Sequence, residues 1–327
     1  MTPKDRGTNL RDRVQKSLSP NRDEQGWSLV VLTGIVIILS VIAYNRNAVY
    51  QDELVLWQDT VEKSPNKARP HYNLGLYYDG KERFGEAIES YQTAIRLAWA
   101  ERWDTIADRA HNNLGSIYGK QGRFADAFRE FQMVLQVNPR DSAARTNLGI
   151  IYTKQGRMNE ALHEFRLALQ SNPKDAMAHY SLGVAYGELG RFEEAEQAYR
   201  TAIRLKPEFG GAQNNLGMLY GMQGRFAEAI QELQAAIKNG ADSGEAYNNL
   251  GIVYARQNRL DDAVGAFQRS LEQKPGNAEV HKNLGVAYQY QGRLADAVRE
   301  FQEALRIDPG NAGARSHLES LEKESRR

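Results

Sequence analysis

A short motif returns along most of this chain at a fixed spacing, and it constrains the fold more than any other feature. A Leu-Gly pair is followed three residues later by Tyr and nine residues after that by Ala, and the pattern recurs every 34 residues from position 114 onward. One more copy lies 40 residues upstream. Such a period indicates a stack of small similar units rather than one globular core. The glycines of the motif are Gly75, Gly115, Gly149, Gly183, Gly217, Gly251 and Gly285.

Within one unit the pattern predicts two helices joined by a tight turn. Leu148 and Tyr152 stand four residues apart and therefore share a helix face. Gly156 permits the left-handed conformation with which a helix often ends, and Pro173 stops the second helix. Gly149, inside the first helix, costs about 1 kcal/mol relative to Ala, so we expect the paired helix to approach closely there. The second helix carries Ala161, Phe165 and Ala168 at helical spacing.

These residues at these offsets resemble the tetratricopeptide repeat. The resemblance covers seven repeats over residues 68–311 and implies an all-α fold, a right-handed superhelical solenoid of helix pairs. We expect a linker and an N-terminal capping helix in residues 45–67, and a C-terminal capping helix and tail in residues 312–327. The chain departs from the family at the early Trp position, which holds His71, His111, Arg145, His179, Gln213, Tyr247 and His281.

Composition argues against several classes of function. The 42 Lys and Arg residues balance 41 Asp and Glu residues, so a nucleic-acid partner is not expected. Absence of Cys excludes disulfides, thiolate catalysis and Cys-ligated zinc. No nucleophile–base pair, phosphate loop or dinucleotide motif is present, so we expect no enzyme activity, no cofactor and no small-molecule substrate. Four histidines share one repeat position. They lie a full repeat or more apart, which is far beyond the roughly 2 Å reach of a shared metal ion, so a packing role is favoured.

Residues 27–44 are 18 consecutive residues without a charge, bounded by Trp27 and Tyr44. As a helix they would be about 27 Å long, which suits a hydrocarbon core of about 30 Å. We therefore predict a transmembrane helix. A cleaved signal peptide and a buried soluble helix are the alternatives, and the segment offers neither a good cleavage site nor an apolar neighbour to cover it.

The flanks of this segment differ in charge. Residues 1–26 hold six Lys or Arg residues, whereas the 20 residues after Tyr44 hold only Arg46 and Lys63. The positive-inside rule places the basic tail in the cytoplasm and the repeats on the opposite side, most simply the periplasmic side of a bacterial inner membrane. Residues 47–65 also resemble the junction in mannosyltransferase-like membrane proteins with a tetratricopeptide tail, but no multispan half accompanies them, so the resemblance implies no transferase activity.

One further set of residues suggests binding. Asn precedes the Leu in six of the seven repeats, and Ser181 takes its place in the fourth. Asn is a mediocre helix former, so six copies inside helices require a reason. Either the amides make an interhelical hydrogen bond repeated with the fold, or they form a row on the concave face that grips a peptide backbone, as the resemblance to the O-linked N-acetylglucosamine transferases implies. The row, here called the Asn ladder, is Asn73, Asn113, Asn147, Asn215, Asn249 and Asn283.

Trp99 and Trp103 lie four residues apart in the insertion that lengthens the first repeat. They are a candidate second contact with a partner. The alternative is that they pack beneath Leu54 and Trp57 and extend the core.

Together these observations favour a non-enzymatic, membrane-anchored scaffold that binds protein or peptide segments in its concave groove and organises a membrane-associated complex. The alternative is an accessory or substrate-recruiting subunit of a glycosyltransferase or envelope-biogenesis enzyme.

Overall fold

The computed structural model describes residues 35–37, 39–40, 52–100 and 105–325. Beyond the five helical residues within 35–40, these parts of the chain form sixteen helices and no strand, which confirms the all-α prediction. The helices are α1 (Glu53–Lys63), α2 (Ala68–Gly80), α3 (Phe84–Ala100), α4 (Thr105–Lys120), α5 (Phe124–Val137), α6 (Ser142–Lys154), α7 (Met158–Ser171), α8 (Ala176–Glu188), α9 (Phe192–Leu205), α10 (Gly210–Met222), α11 (Phe226–Lys238), α12 (Ser243–Arg256), α13 (Leu260–Gln273), α14 (Ala278–Tyr290), α15 (Leu294–Ile307) and α16 (Ala312–Ser325).

The predicted membrane segment, residues 27–44, lies almost wholly outside the described residues. The side chains described within it, at residues 35–37 and 39–40, are exposed. None of the described helices is both long enough and apolar enough to cross a bilayer.

The chain divides into two compact units, residues 1–110 and residues 111–327. In both units consecutive helices pack as antiparallel hairpins, for example α2 with α3 in the first and α10 with α11 in the second. We call the first helix of each hairpin the A helix and the second the B helix.

Each hairpin is closed where the A helix carries the glycine of the motif. A Cβ added at Gly149 would lie 2.5 Å from Cε1 of Phe165, and one at Gly251 would lie 2.6 Å from Cε1 of Phe267. Both Phe side chains are fully buried. The missing side chain therefore lets a large B-helix residue reach the A-helix backbone, which confirms the predicted close approach. The B-helix residues at these seven contacts are Tyr91, Phe131, Phe165, Tyr199, Leu233, Phe267 and Phe301.

The turn between the two helices has the same construction in all seven repeats. In the fifth repeat Gly224 has φ +76°, and the next residue, Arg225, places its guanidinium 3.9 Å from the ring centroid of Tyr220. The same guanidinium pairs with Glu228 on the first turn of the B helix. Each turn arginine stacks on the motif Tyr of its repeat in this way and pairs with an acid three residues later. These arginines are Arg83, Arg123, Arg157, Arg191, Arg225, Arg259 and Arg293.

Helix starts follow the sequence signals. The Asp141 carboxylate accepts a hydrogen bond from the backbone N–H of Ala144 at 2.7 Å, and Asp175 accepts one from Ala178 at 3.0 Å. Asp is a preferred residue at such a cap, because its carboxylate accepts a hydrogen bond from a free N–H of the first helical turn. Asn311 caps α16 in the same way, through the N–H of Ala314 at 2.9 Å.

Within the second unit the A helices line the inner side of the stack. Neighbouring A helices contact one another, as in α10 with α12, α12 with α14, and α14 with α16. No contact of comparable extent joins neighbouring B helices in the described part of this unit. A stack whose A helices are closer together than its B helices curves toward the A helices. The surface they form, here called the A face, is therefore the concave one in this unit.

Candidate functional site

An apolar row follows the Asn ladder on the A helices. It occupies the position three residues after each ladder position, almost one helical turn further on, so the two rows lie side by side. Six of its seven members are apolar, and Ser116 is the exception. None of the seven is buried, and Leu76 and Met218 are the most exposed, at 43% and 39%. The members are Leu76, Ser116, Ile150, Val184, Met218, Ile252 and Val286.

Four residues beyond the apolar row lies a third position, here called the rim position, at the end of each A helix. It is polar or glycine in five repeats and a large apolar residue in two, Met222 and Tyr290. These two side chains are 57% and 75% exposed. Each lines the same cavity as the apolar-row residue of its own repeat, Met218 or Val286, so the exposed apolar surface there is continuous rather than a single side chain. The remaining rim residues are Gly80, Lys120, Lys154, Glu188 and Arg256.

Both repeats with an apolar rim residue border a cleft on the A face. The first cleft, of about 220 Å³, lies between α8, the start of α9 and α10, with Met218 and Met222 on one wall. The second, of about 340 Å³, lies between α12, the start of α13 and α14, with Val286 and Tyr290 on the matching wall. The clefts are lined by equivalent positions two repeats apart. Each therefore presents two apolar-row residues, one apolar and one charged rim residue, and one Asn of the ladder, Asn215 or Asn283.

The interval between the clefts is closed. There a Cβ added at Gly221 of α10 would lie 2.9 Å from Cγ2 of Val253, so α10 and α12 touch at this point. Arg256 reaches back from α12 and donates a hydrogen bond from Nη1 to the Gly221 carbonyl oxygen at 3.1 Å. At the equivalent position in the first cleft, a Cβ added at Gly187 would meet only the Tyr199 hydroxyl, at 3.8 Å. The same sequence position is thus open in one repeat and filled in the next.

The Asn ladder joins consecutive repeats from the fourth to the seventh. Asn215 Nδ2 donates to the Tyr180 hydroxyl at 3.3 Å, and Asn283 Nδ2 donates to Asn248 Oδ1 at 3.1 Å. Asn249 makes the equivalent bond and is buried, with 5% of its surface exposed. In every case the acceptor precedes the ladder position of the previous repeat. Interhelical bonding is thus present at three rungs, and the predicted grip on a peptide backbone stays a prediction.

The ladder is not uniform. Asn112 and Asn147 hold the same two positions in the second and third repeats, but no hydrogen bond joins their side chains among the described residues. The side-chain amide oxygen of Asn112, Oδ1, is buried and has no hydrogen-bond partner among the described residues. Asn147 is partly exposed, as are Asn73 in the first unit and Asn113. Of the six predicted residues, the clefts include only Asn215 and Asn283.

Two phenol groups near the first cleft stay protonated at neutral pH. Burial raises the pKa of Tyr199, which lines the cleft, to about 12, against a smaller opposing effect of the Asn215 amide. Burial also raises the pKa of Tyr180, whose hydroxyl accepts the Asn215 hydrogen bond. The first cleft is therefore walled by neutral aromatic and aliphatic groups. Its exposed charge is Glu188, whereas Arg256 lines the second cleft at the equivalent position.

The other sequence-predicted groups lie elsewhere. Trp99 is 53% exposed near the end of α3, and Trp103 lies outside the described residues, so their role as a partner contact stays a prediction. His281, one of the histidines at the early Trp position, makes two polar contacts within its repeat. Its Nε2 lies 3.0 Å from the Pro275 carbonyl oxygen, and its Nδ1 lies 2.7 Å from a Glu300 carboxylate oxygen. No group of three or more metal-ligating side chains occurs among the residues that the structure describes.

Comparison with known families identifies the repeat. The family model "Cilia and flagella-associated protein 70 C-terminal domain" matches residues 105–321, and the model "Tetratricopeptide repeat" matches residues 68–98. The chain belongs to the first family and is a tetratricopeptide-repeat protein. The narrower resemblances, to the O-linked N-acetylglucosamine transferases and to mannosyltransferase-like proteins, stay predictions.

Two solved structures share the fold. The APC/C hetero-tetramer Cut9–Hcn1 aligns with a TM-score of 0.63 at 18% identity, covering 82% of this chain and 52% of that one. Pseudomonas aeruginosa pilF gives 0.58 at 19% identity, covering 65% and 97%. YrrB, described as a TPR protein with an unusual peptide-binding site, gives 0.47 at 26% identity, covering 57% and 96%. No curated protein matches the sequence significantly.

Proposed function

We propose that this chain is a membrane-anchored, non-enzymatic scaffold that binds extended segments of other proteins along its A face and so organises a membrane-associated complex. The observation that carries the proposal is the apolar row, which runs beside the Asn ladder and opens into two clefts in the second unit. Solenoids of this kind present extended concave surfaces for binding. An extended strand can make both kinds of contact with this surface. Its apolar side chains can enter the clefts, and its backbone amides can form hydrogen bonds with the Asn side chains.

The composition of the A face supports a protein ligand over a small molecule. Binding sites for small molecules enclose most of their ligand, whereas both clefts here are shallow and open to solvent along the stack. The apolar row also holds no charged residue, so it suits a strand with apolar side chains better than a polyanion.

The test is site-specific photocrosslinking in the membrane with the full chain. A benzophenone amino acid replaces Met218 or Ile252 on the A face and, as matched controls, Gln234 or Gln302, which are exposed on B helices. We expect crosslinked protein segments, mapped by mass spectrometry, at the A-face positions alone. Equal crosslinking on the B helices, or none at any position, would remove the A face as the binding surface.

The anchor part of the proposal is supported by the uncharged run of residues 27–44 and the basic residues before it. A reporter active only outside the cytoplasm, fused after Arg327, should be active, and the protein should stay with membranes after a carbonate wash. Activity of a cytoplasm-only reporter in the same fusion would contradict the orientation. Release of the repeats by processing near residue 45 would favour a signal peptide instead.

A further inference from the structure

We infer that the A face of the second unit selects one type of peptide: an extended strand with two large apolar side chains about six residues apart and an acidic side chain near the second of them. The inference rests on the proposed peptide-binding function and adds the spacing, the charge and the register of the ligand.

The two apolar positions follow from the clefts. Each is bordered by an exposed apolar rim residue, Met222 in the first and Tyr290 in the second. Between them α10 and α12 are in contact, because Val253 packs against Gly221 and Arg256 donates a hydrogen bond to the Gly221 carbonyl oxygen. A strand along this face therefore finds a cleft, a closed interval and a second cleft.

The spacing follows from helix geometry. Packed helices lie about 8–10 Å apart, so equivalent points on A helices two repeats apart are separated by roughly 20 Å. An extended strand advances about 3.3–3.6 Å per residue, which corresponds to about six residues. An even number also suits the alternation of side chains, since both anchors must point to the same side of the strand.

The charge preference follows from Arg256. It is exposed, lines the second cleft and makes its side-chain hydrogen bond to a neutral carbonyl, with no ion pair among the described residues. A guanidinium has five N–H donors, so several remain for a ligand carboxylate. The equivalent residue at the first cleft is Glu188, which repels a carboxylate. The register of the strand is thus fixed, with its acidic residue at the second cleft.

The experiment measures binding of dye-labelled peptides to the purified full chain by fluorescence anisotropy. The peptides have a Ser/Thr/Gln background and carry two leucines spaced by about four, about six or about eight residues, with Glu or Lys beside the second leucine. We expect the six-residue Glu peptide to bind about tenfold or more tightly than peptides of the other spacings, because only it fills both clefts. Met222→Asp and Tyr290→Asp should each reduce its affinity to that of a single-leucine peptide.

A charge exchange separates specific pairing from general attraction. Arg256→Glu should weaken the Glu peptide about tenfold and strengthen the Lys peptide by a similar factor. Lys154→Glu, at the same rim position two repeats before the first cleft's Met222, is the control and should change neither. Equal affinity for all spacings, or no exchange of preference with Arg256→Glu, would overturn the inference and leave a non-selective peptide groove. Absence of binding by every peptide would also overturn it, and the crosslinking experiment then decides the proposed function separately.

Discussion

The side-chain amide of Asn249 donates a hydrogen bond to Oδ1 of Asn214, one repeat earlier, at 3.0 Å, and both residues are buried. The bond ties α12 to α10 and makes this rung of the ladder part of the packing between repeats. A buried amide that already donates to its neighbour has little surface to offer a ligand. The rungs at the clefts, Asn215 and Asn283, combine the same bond with access to a bound strand.

Substitution of two equivalent rungs should therefore have unequal effects. Asn249→Ala is expected to lower the free energy of unfolding by about 1–3 kcal/mol, because the side-chain oxygen Oδ1 of Asn214 would stay buried without its hydrogen-bond donor. Asn147→Ala should change it by less than about 0.5 kcal/mol, since Asn147 is partly exposed and makes no side-chain hydrogen bond in the described structure. Urea unfolding of both variants measures the difference. Equal losses would show that the interhelical bond is not what Asn249 contributes.

Two glycines on α8 should respond to Ala in opposite directions. A Cβ at Gly183 would lie 2.7 Å from ring atoms of Tyr199, so Gly183→Ala is expected to destabilise by about 1–3 kcal/mol. At Gly187 the nearest atom is the Tyr199 hydroxyl at 3.8 Å, so Gly187→Ala should stabilise by up to about 1 kcal/mol through helix propensity. Thermal melts of the two variants provide the test, and a stabilised Gly183→Ala variant would contradict the contact.

Two turns carry a residue other than glycine in the left-handed region, Glu82 with φ 57° and Asn258 with φ 59°. Glu82→Gly should raise the free energy of unfolding by about 0.5–1 kcal/mol, because the strain it removes exceeds the extra entropy of glycine in the unfolded chain. Asn258→Gly should gain less, since Asn tolerates this region. Gly156→Ala, the reverse change at φ +73°, should destabilise. A Glu82→Gly variant that melts below the parent would refute this reasoning.

The acids paired with the turn arginines predict a loss of stability in acid. Hydrogen bonds from Arg83 and Arg191 hold the pKa values of Glu86 and Glu194 below their ordinary 4.5, and Arg293 lowers that of Asp296 below 3.8. A carboxyl whose folded pKa is lowered stabilises the fold above its unfolded pKa, and this contribution is lost as the pH falls through the folded value. The melting temperature should therefore be steady above about pH 5 and fall below it.

The size of this effect is limited by exposure, because these pairs are on the surface and salt screens them. Glu194→Gln should make the acid-induced decline shallower, and added salt should do the same. A melting temperature that does not change between neutral pH and about pH 3 would contradict the assignment of these pairs to the native turns.

Much of the repeat was readable from sequence because its signals are local. Gly149 inside a helix predicts a close partner helix, Gly156 predicts the turn, and Asp141 predicts the cap, and all three hold. Each depends on residues of a single repeat, so spacing along the chain is enough to identify them. The turn arginines also have a local signal, since the motif Tyr precedes each by five residues and an acid follows by three.

The clefts were not predicted, because they depend on side chains from different repeats. Gly187 and Gly221 hold the same position, but Val253 fills the space beside one of them while the space beside the other stays open. The one sequence feature that marks the clefts is an apolar rim residue. Met222 and Tyr290 are apolar, whereas the rim residues of the fourth and sixth repeats are Glu188 and Arg256. The roles of the Asn rungs were not predictable from residue type either, since Asn112 and Asn214 hold the same repeat position but among the described residues only Asn214 accepts a hydrogen bond from the next rung.

The rim position lies apart from the contacts that hold each repeat together. The hairpin is closed by glycine and its B-helix partner, as at Gly251 and Phe267, and the turn is held by Arg on Tyr, as at Arg259 and Tyr254. Rim residues take part in neither, and they range from glycine to tyrosine across the seven repeats. Recombination that adds, removes or exchanges whole repeats can therefore change which rim residues follow one another, and with them the ligand preference. Each repeat would retain the glycine, aromatic and arginine contacts that hold its own two helices together.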